Sequence, residues 1–182
     1  MPATEPYVRP DAKAFLDALA ALAVPDAPEP TTDQRRLAYL ALHGMGDAPA
    51  RDLAVISNLS CPSPAGEIPL RLYDKRESRE PGPIIMFFHG GGFVIGDLDT
   101  HHNLCTEIAY QMDLPVVAVD YRRAPEHPFP AAVDDCEAAT RWVASSPEAL
   151  GRGATGIGMC SGVKRWISTT TSATSRKTTT PS

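Results

Sequence analysis

No stretch of this 182-residue sequence approaches the roughly 20 consecutive apolar residues that a bilayer-spanning helix needs, so no membrane span is expected. The N-terminus lacks a basic start followed by an apolar block. A secretory leader is therefore not expected, and the cytoplasm is the expected location. No C-x-x-C pair is present. The four cysteines, Cys61, Cys105, Cys136 and Cys160, are scattered, which argues against structural zinc and for reduced, mostly buried thiols. There is no surplus of positive charge. With 17 Lys and Arg against 22 Asp and Glu, the net charge of −5 gives no reason to expect nucleic acid or an anionic membrane as partner. Two local absences matter later: no acidic residue follows Glu148, and no histidine follows His127.

What is present suits one globular core. Hydrophobic residues make up 43% and charged residues 21% of the chain, ordinary values for a soluble domain of this length. Residues 11–23, DAKAFLDALAALA, have Phe15, Leu19 and Leu22 at helical spacing, with Asp11 as the expected N-cap and Pro25 as the stop. TTDQRRLAYLALHGMG predicts a second helix, capped by Thr31 or Thr32 and ending near Gly44. LAVIS (53–57) and IPLRLY (68–73) predict strands separated by a CPSPAGE turn. PIIMFF (83–88) and PVVAVD (115–120) are unbroken apolar runs, as expected of strands covered on both faces. HHNLCTEIAYQM (101–112) and AAVDDCEAATRWVA (131–144) predict helices, the latter with Val133, Ala139, Trp142 and Val143 near one stripe. TGIGMC (155–160) predicts a last strand. Strands alternating with helices imply an α/β fold with right-handed crossovers and a mostly parallel sheet.

The chemistry concentrates after PIIMFF. Three consecutive glycines, Gly90, Gly91 and Gly92, follow His89, at a cost in folding entropy that calls for a reason. Bare backbone N–H groups can point at a developing oxyanion with no side chain in the way. A tight ligand-free turn or a weak phosphate loop is the alternative for this motif taken by itself. Asp97, Asp99, His101 and His102 are read as turn and helix-start residues, with Asp99 or Thr100 as cap, in preference to a metal cluster. Glu126 and His127 sit between prolines and are read as structural. No metal and no cofactor is expected.

His89 to Gly92, Gly96-Asp97, and Asp120-Tyr121-Arg122 continuing through Ala124-Pro125-Glu126-His127-Pro128-Phe129-Pro130-Ala131-Ala132 together resemble the hormone-sensitive-lipase-like (family IV) esterases of the α/β-hydrolase fold. The resemblance spans roughly residues 10 to 160, the N-terminal half of that fold. It implies a carboxylic-ester hydrolase acting on a small-molecule ester. It also implies oxyanion-hole N–H groups from Gly90 and Gly91, a loop-shaping role for His89, and N-terminal helices (1–50) that cap the acyl pocket over a partial core (51–160).

The pattern breaks at residue 161. The family's nucleophile serine lies in a G-D-S-A-G turn, and no G-x-S-x-G occurs anywhere in this sequence. Gly158-Met159-Cys160-Ser161-Gly162 fits G-x-C-x-G, so Cys160 and Ser161 are the candidate nucleophiles. Neither has an acid or a histidine downstream, where the fold's triad would place them. Of the last 20 residues, 11 are Ser or Thr, with Lys164, Arg165, Arg176 and Lys177 and no acid, so residues 161–182 are expected to be a disordered tail, with a shifted reading frame or a truncated gene as the explanation. Three outcomes stay open: a hydrolase half truncated before its nucleophile and inactive, a non-catalytic remnant that binds a partner, and a cysteine-nucleophile hydrolase using Cys160. The last strand is expected at an exposed edge, favouring self-association.

Overall fold

The computed structural model describes residues 7–22, 27–161 and 167–169. Two helices, α1 (Pro10–Ala21) and α2 (Thr32–Gly46), precede the sheet. α1 starts two residues earlier than an Asp11 cap implies. Pro10 occupies its first turn, Arg9 is the N-cap, and Asp11 pairs with Arg9 and accepts from the Ala12 N–H. Asp11 is therefore a first-turn carboxylate and not the cap. α2 opens on a capping box: Gln34 N–H donates to the Thr31 hydroxyl at 3.2 Å and Thr31 N–H donates to the Gln34 side chain at 2.8 Å. No residue of α1 is buried.

The strands are β1 (Val55–Ser63), β2 (Gly66–Asp74), β3 (Gly82–Phe88), β4 (Val116–Val119), β5 (Ala154–Ser161) and β6 (Ile167–Thr169). They form one mixed sheet in the order β1-β2-β4-β3-β5-β6. Its core, β4-β3-β5, is parallel, while β1, β2 and β6 join antiparallel. β1 runs on through Cys61, Pro62 and Ser63, so only Pro64 and Ala65 remain as the turn of a β1–β2 hairpin. Proline is tolerated there because β1 is an edge strand.

Period-two alternation explains the apolar runs. Ile84, Met86, Val117 and Val119 face one side, where α4 (Ala131–Ala144) packs through Ala139 and Val143. Ile85, Phe87, Val116 and Ala118 face the other, under Cys105 and Ala109 of α3 (His102–Met112). The α4 stripe needs correction at one position: Val133 is 49% exposed, and the buried set is Ala132, Asp135, Ala139 and Val143. Asp135 is tolerated inside because Arg122 grips it with two bonds of 2.8–2.9 Å, and the Arg122 backbone N–H adds a third at 2.9 Å.

Of the expected tail, Ser161 completes β5 and Ile167–Thr169 pairs with Ile157–Met159; the remainder of 161–182 lies outside the described residues. β5 is thus not the terminal strand over those three positions. Among the described residues no helix is long and apolar enough to cross a membrane.

Candidate functional site

The C-terminal ends of β3, β4 and β5 share one edge of the sheet, where open parallel sheets place their sites. From β3 comes His89-Gly90-Gly91-Gly92, and from β4 comes the Asp120–Pro130 loop. Cys160 and Ser161 end β5 opposite Phe87 and Phe88, directly beside the start of the glycine loop.

Three successive carbonyls of that loop are tied down. The Tyr121 hydroxyl donates to His89 O at 2.6 Å. The His89 Nδ1–H donates to Gly90 O at 2.9 Å. The N–H groups of Val94 and Ile95 both donate to Gly91 O at 3.1 Å. A trans peptide sets each N–H opposite its carbonyl. Fixing the carbonyls of 89, 90 and 91 therefore turns the N–H groups of Gly90, Gly91 and Gly92 away from these partners. Among the described residues no hydrogen bond engages those three N–H groups. Among the described residues the loop thus presents a row of backbone donors held in fixed directions, an arrangement able to stabilise a negative charge.

Glycine is needed at two of these positions for steric reasons. Gly91 sits at φ +120°, and a Cβ there would lie 2.1 Å from Ile95 O. Gly96, at φ +91°, would place a Cβ 2.5 Å from both Gly90 O and His89 Nδ1. Gly92, at φ +62°, has open space around its missing side chain.

His89 is buried and stacked on Tyr121, with ring centroids 4.1 Å apart. Burial pushes its pKa down to about 4. Its ring is neutral at physiological pH, with Nδ1 the protonated nitrogen that the bond to Gly90 O requires, and it shapes the loop in place of exchanging protons. Asp97 closes the far side of the loop: it accepts from the Asp99 and Thr100 N–H groups at 3.0 and 2.8 Å. Burial raises its pKa, but these bonds outweigh burial and leave it below the usual carboxylate range. The cap residue of α3 is His101, which makes no side-chain cap bond, so neither Asp99 nor Thr100 caps α3. Thr100 instead bonds back to the Asp97 backbone. Asp99 is an ion-pair partner of Arg71 at 2.8 Å, and His102 lies 3.3 Å from the Tyr73 hydroxyl.

Cys160 lies inside the regular strand β5, packed against the α3-side core. Burial pushes its thiol pKa up, opposite to what an activated thiolate needs. Glu126 does not pair with His127. Its carboxylate meets Arg36 of α2, which also bonds to Val94 O and Ala124 O. Arg36, Arg123 (which donates to Gly96 O) and Tyr121 all brace the loop, and none of these roles shows in a single sequence, because the partners lie far apart along the chain. A cavity of about 560 Å³ lies between α1 and α2, lined by Phe15, Tyr39, Leu42 and His43 among others and by no residue of the glycine loop.

Residues 85–160 match the family described as alpha/beta hydrolase fold. The esterase LipI of Mycobacterium tuberculosis is 48% identical over 102 residues, covering 53% of this chain and 31% of that protein. The ethyl acetate hydrolase of Pseudomonas putida is 42% identical over 99 residues, 53% of this chain and 31% of that protein. Among solved structures, an ester hydrolase from the metagenome of Lake Arreo superposes with a TM-score of 0.77 at 31% identity, covering 85% of this chain and 50% of that one. A hyperthermophilic esterase from Pyrobaculum calidifontis gives 0.74 at 32% identity, with 85% and 49% coverage. The chain thus spans about a third of the length of these curated relatives and about half of the solved esterases. Over the stretch it shares with them, the chain has the alpha/beta hydrolase fold and is similar to proteins named as esterases and ester hydrolases.

Proposed function

We propose that residues 89–92 form the oxyanion-binding loop of a carboxylic-ester hydrolase acting on a small-molecule ester. When a nucleophile adds to the ester carbonyl carbon, the C=O π pair moves to oxygen. Gly90 and Gly91, with Gly92 beside them, would donate hydrogen bonds to that oxygen until the C–O bond to the alcohol breaks. The observation that carries this reading is the row of three N–H groups without a hydrogen-bond partner among the described residues, each set by a carbonyl fixed on the opposite side of its peptide.

The 182-residue chain itself is proposed to be inactive. Hydrolysis needs a nucleophile, a base and an acid that orients the base. Cys160 is held in a strand with a raised thiol pKa, and no Asp, Glu or His follows it. The change of composition at residue 161 supports a shift of reading frame there; the coding DNA beyond codon 160, read in all three frames, decides this, and the absence of any family-like continuation removes it. The four free thiols among the described residues fit a reducing compartment such as the cytoplasm.

The site reading is tested by titrating the labelled chain with an alkylphosphonate monoester anion, a stable tetrahedral oxyanion. The amide resonances of Gly90 and Gly91 are expected to move saturably, and resonances that stay still overturn the reading. In parallel, p-nitrophenyl butyrate is expected to hydrolyse no faster than in buffer. Activity abolished by Cys160→Ala would revive the cysteine enzyme.

A further inference from the structure

Arg36 lies on a helix that precedes the sheet, 58 residues before its contact in the glycine loop. Its side chain is only 20% exposed. Nε donates to Val94 O at 2.9 Å, Nη2 to Ala124 O at 3.0 Å, and the two terminal nitrogens donate to the two oxygens of Glu126 at 2.8 Å each. Asp33, one turn earlier on α2, stands 3.5 Å from Nη1. One planar fork thus joins α2, the distal half of the glycine loop and the loop after β4, with Glu126 fixing the plane in which the fork lies.

The contact with Val94 O does not stop at Val94. The Val94 carbonyl and the Ile95 N–H belong to one rigid peptide unit and point in opposite directions. Arg36 holds the carbonyl end, and the Ile95 N–H donates to Gly91 O at 3.1 Å. The Gly91 carbonyl in turn shares its peptide unit with the Gly92 N–H. We propose that Arg36 is a positioning residue for the oxyanion loop. It acts through two successive peptide planes, setting the Val94–Ile95 unit directly and the Gly91–Gly92 unit through it. Hydrogen bonds in such a series polarise one another, so the guanidinium charge also strengthens the Ile95 bond. The Gly90 N–H belongs to a different anchor, the Tyr121 hydroxyl on His89 O. Other holds act beside it, the His89 ring on Gly90 O, the Ala124 N–H on Phe93 O at 2.8 Å and Arg123 on Gly96 O, and through Arg36 the seating of α2 is felt at the donors. As a statement about an oxyanion loop, this rests on the proposed function. As a statement about which group holds which peptide, it stands separately.

The test uses the full 182-residue chain, labelled with nitrogen-15, as wild type and as Arg36→Gln, Arg36→Lys, Glu126→Gln and Tyr121→Phe. Amide exchange is followed at Ile95 and Gly92, with Val117 and Val119 of β4 as the core reference. In Arg36→Gln, exchange at Ile95 is expected to rise roughly tenfold, the scale of losing a bond to a charged donor, with a shift of the Gly92 resonance. Val117 and Val119 should stay within about twofold of wild type. Arg36→Lys keeps the charge but not the fork, and is expected to resemble Arg36→Gln. Tyr121→Phe should move Gly90 more than Gly92. Glu126→Gln, the milder variant, should give a smaller change in the same pattern if the Arg36 variants fail to fold. The proposal is overturned if Ile95 exchange is unchanged, if loop and core rise together, or if lysine restores wild-type behaviour. Phosphonate binding by the wild type reports on the oxyanion reading alone. Binding without the exchange pattern removes the Arg36 proposal, and the pattern without binding removes the oxyanion role.

Discussion

Gly91 and Gly92 are neighbours with opposite tolerance for a side chain. At Gly91 a methyl group would collide with Ile95 O at 2.1 Å, and the backbone at φ +120° is one L-residues rarely adopt. Gly91→Ala is expected to destabilise the fold by about 3 kcal/mol or more, because the loop must rearrange. Gly92→Ala meets no neighbour and carries only the left-handed backbone term of about 1–2 kcal/mol. Urea unfolding of both variants checks this, and equal losses would contradict the loop geometry. His89 makes a second prediction. Its folded pKa, about 4, lies below the ordinary 6.5, so the unfolded chain binds the proton more readily between those values. Stability from its burial is complete above pH 6.5 and is lost as pH falls through about 4, in a window where the buried His101, shifted the same way, adds to the loss. An NMR titration of the His89 ring should show a midpoint near 4; a midpoint near 6.5 would mean the ring is not buried on Tyr121.

Elements differ in how openly the sequence declares them. β3 and β4 were legible because strands covered on both faces leave an apolar run with no gap. α4 is legible to the residue because Pro130 stands before it and Ser145-Ser146-Pro147 follow it. Its buried stripe departs from the apolar period at Val133, since a salt-bridged Asp135 can replace an apolar residue on the inner face and no helical period shows that. The hairpin turn is shorter than CPSPAGE suggests, because Pro62 and Ser63 look like turn residues, yet an edge strand accepts them. His89 to Gly92 and Asp120-Tyr121-Arg122 stand out as motifs, whereas the bracing roles of Arg36, Tyr121 and Arg123 do not, because what reveals them is long-range geometry. α2 offers the test at this scale. Thr31→Ala breaks the capping box and should cost about 1 kcal/mol locally. The loss should appear as faster amide exchange at Gln34 and Arg35, with Ile84 to Phe87 unchanged, because α2 meets the body through few side chains. A parallel fall in core protection would show that α2 and the sheet unfold as one unit.

At the scale of the molecule, the described sheet ends on β1 at one side and on the short β6 at the other. β1 forms the first edge as half of a hairpin, and its Pro62 has no backbone N–H to offer a further strand. β5 is paired with β3 along its length, but on its far side only Ile157, Gly158 and Met159 meet β6. Among the described residues the outer backbone groups of Ala154–Gly156 and Cys160–Ser161 have no ladder partner, and an edge of that kind templates pairing with another chain. A second route to association exists at Phe93, Phe129 and Val133, which are 58%, 86% and 49% exposed around a cavity of about 250 Å³. Edge pairing is expected to dominate, because it satisfies hydrogen bonds as well as covering carbon. Light scattering across a concentration series should show the mean mass rising with concentration. Thr155 is exposed at the open end of β5, so Thr155→Lys places a charge on the edge without entering the core and should restore the monomer. Phe129→Ser should leave the association in place. A chain that stays monomeric throughout the series would mean that β6 protects the edge, and suppression by Phe129→Ser alone would move the interface to the apolar patch beside the glycine loop.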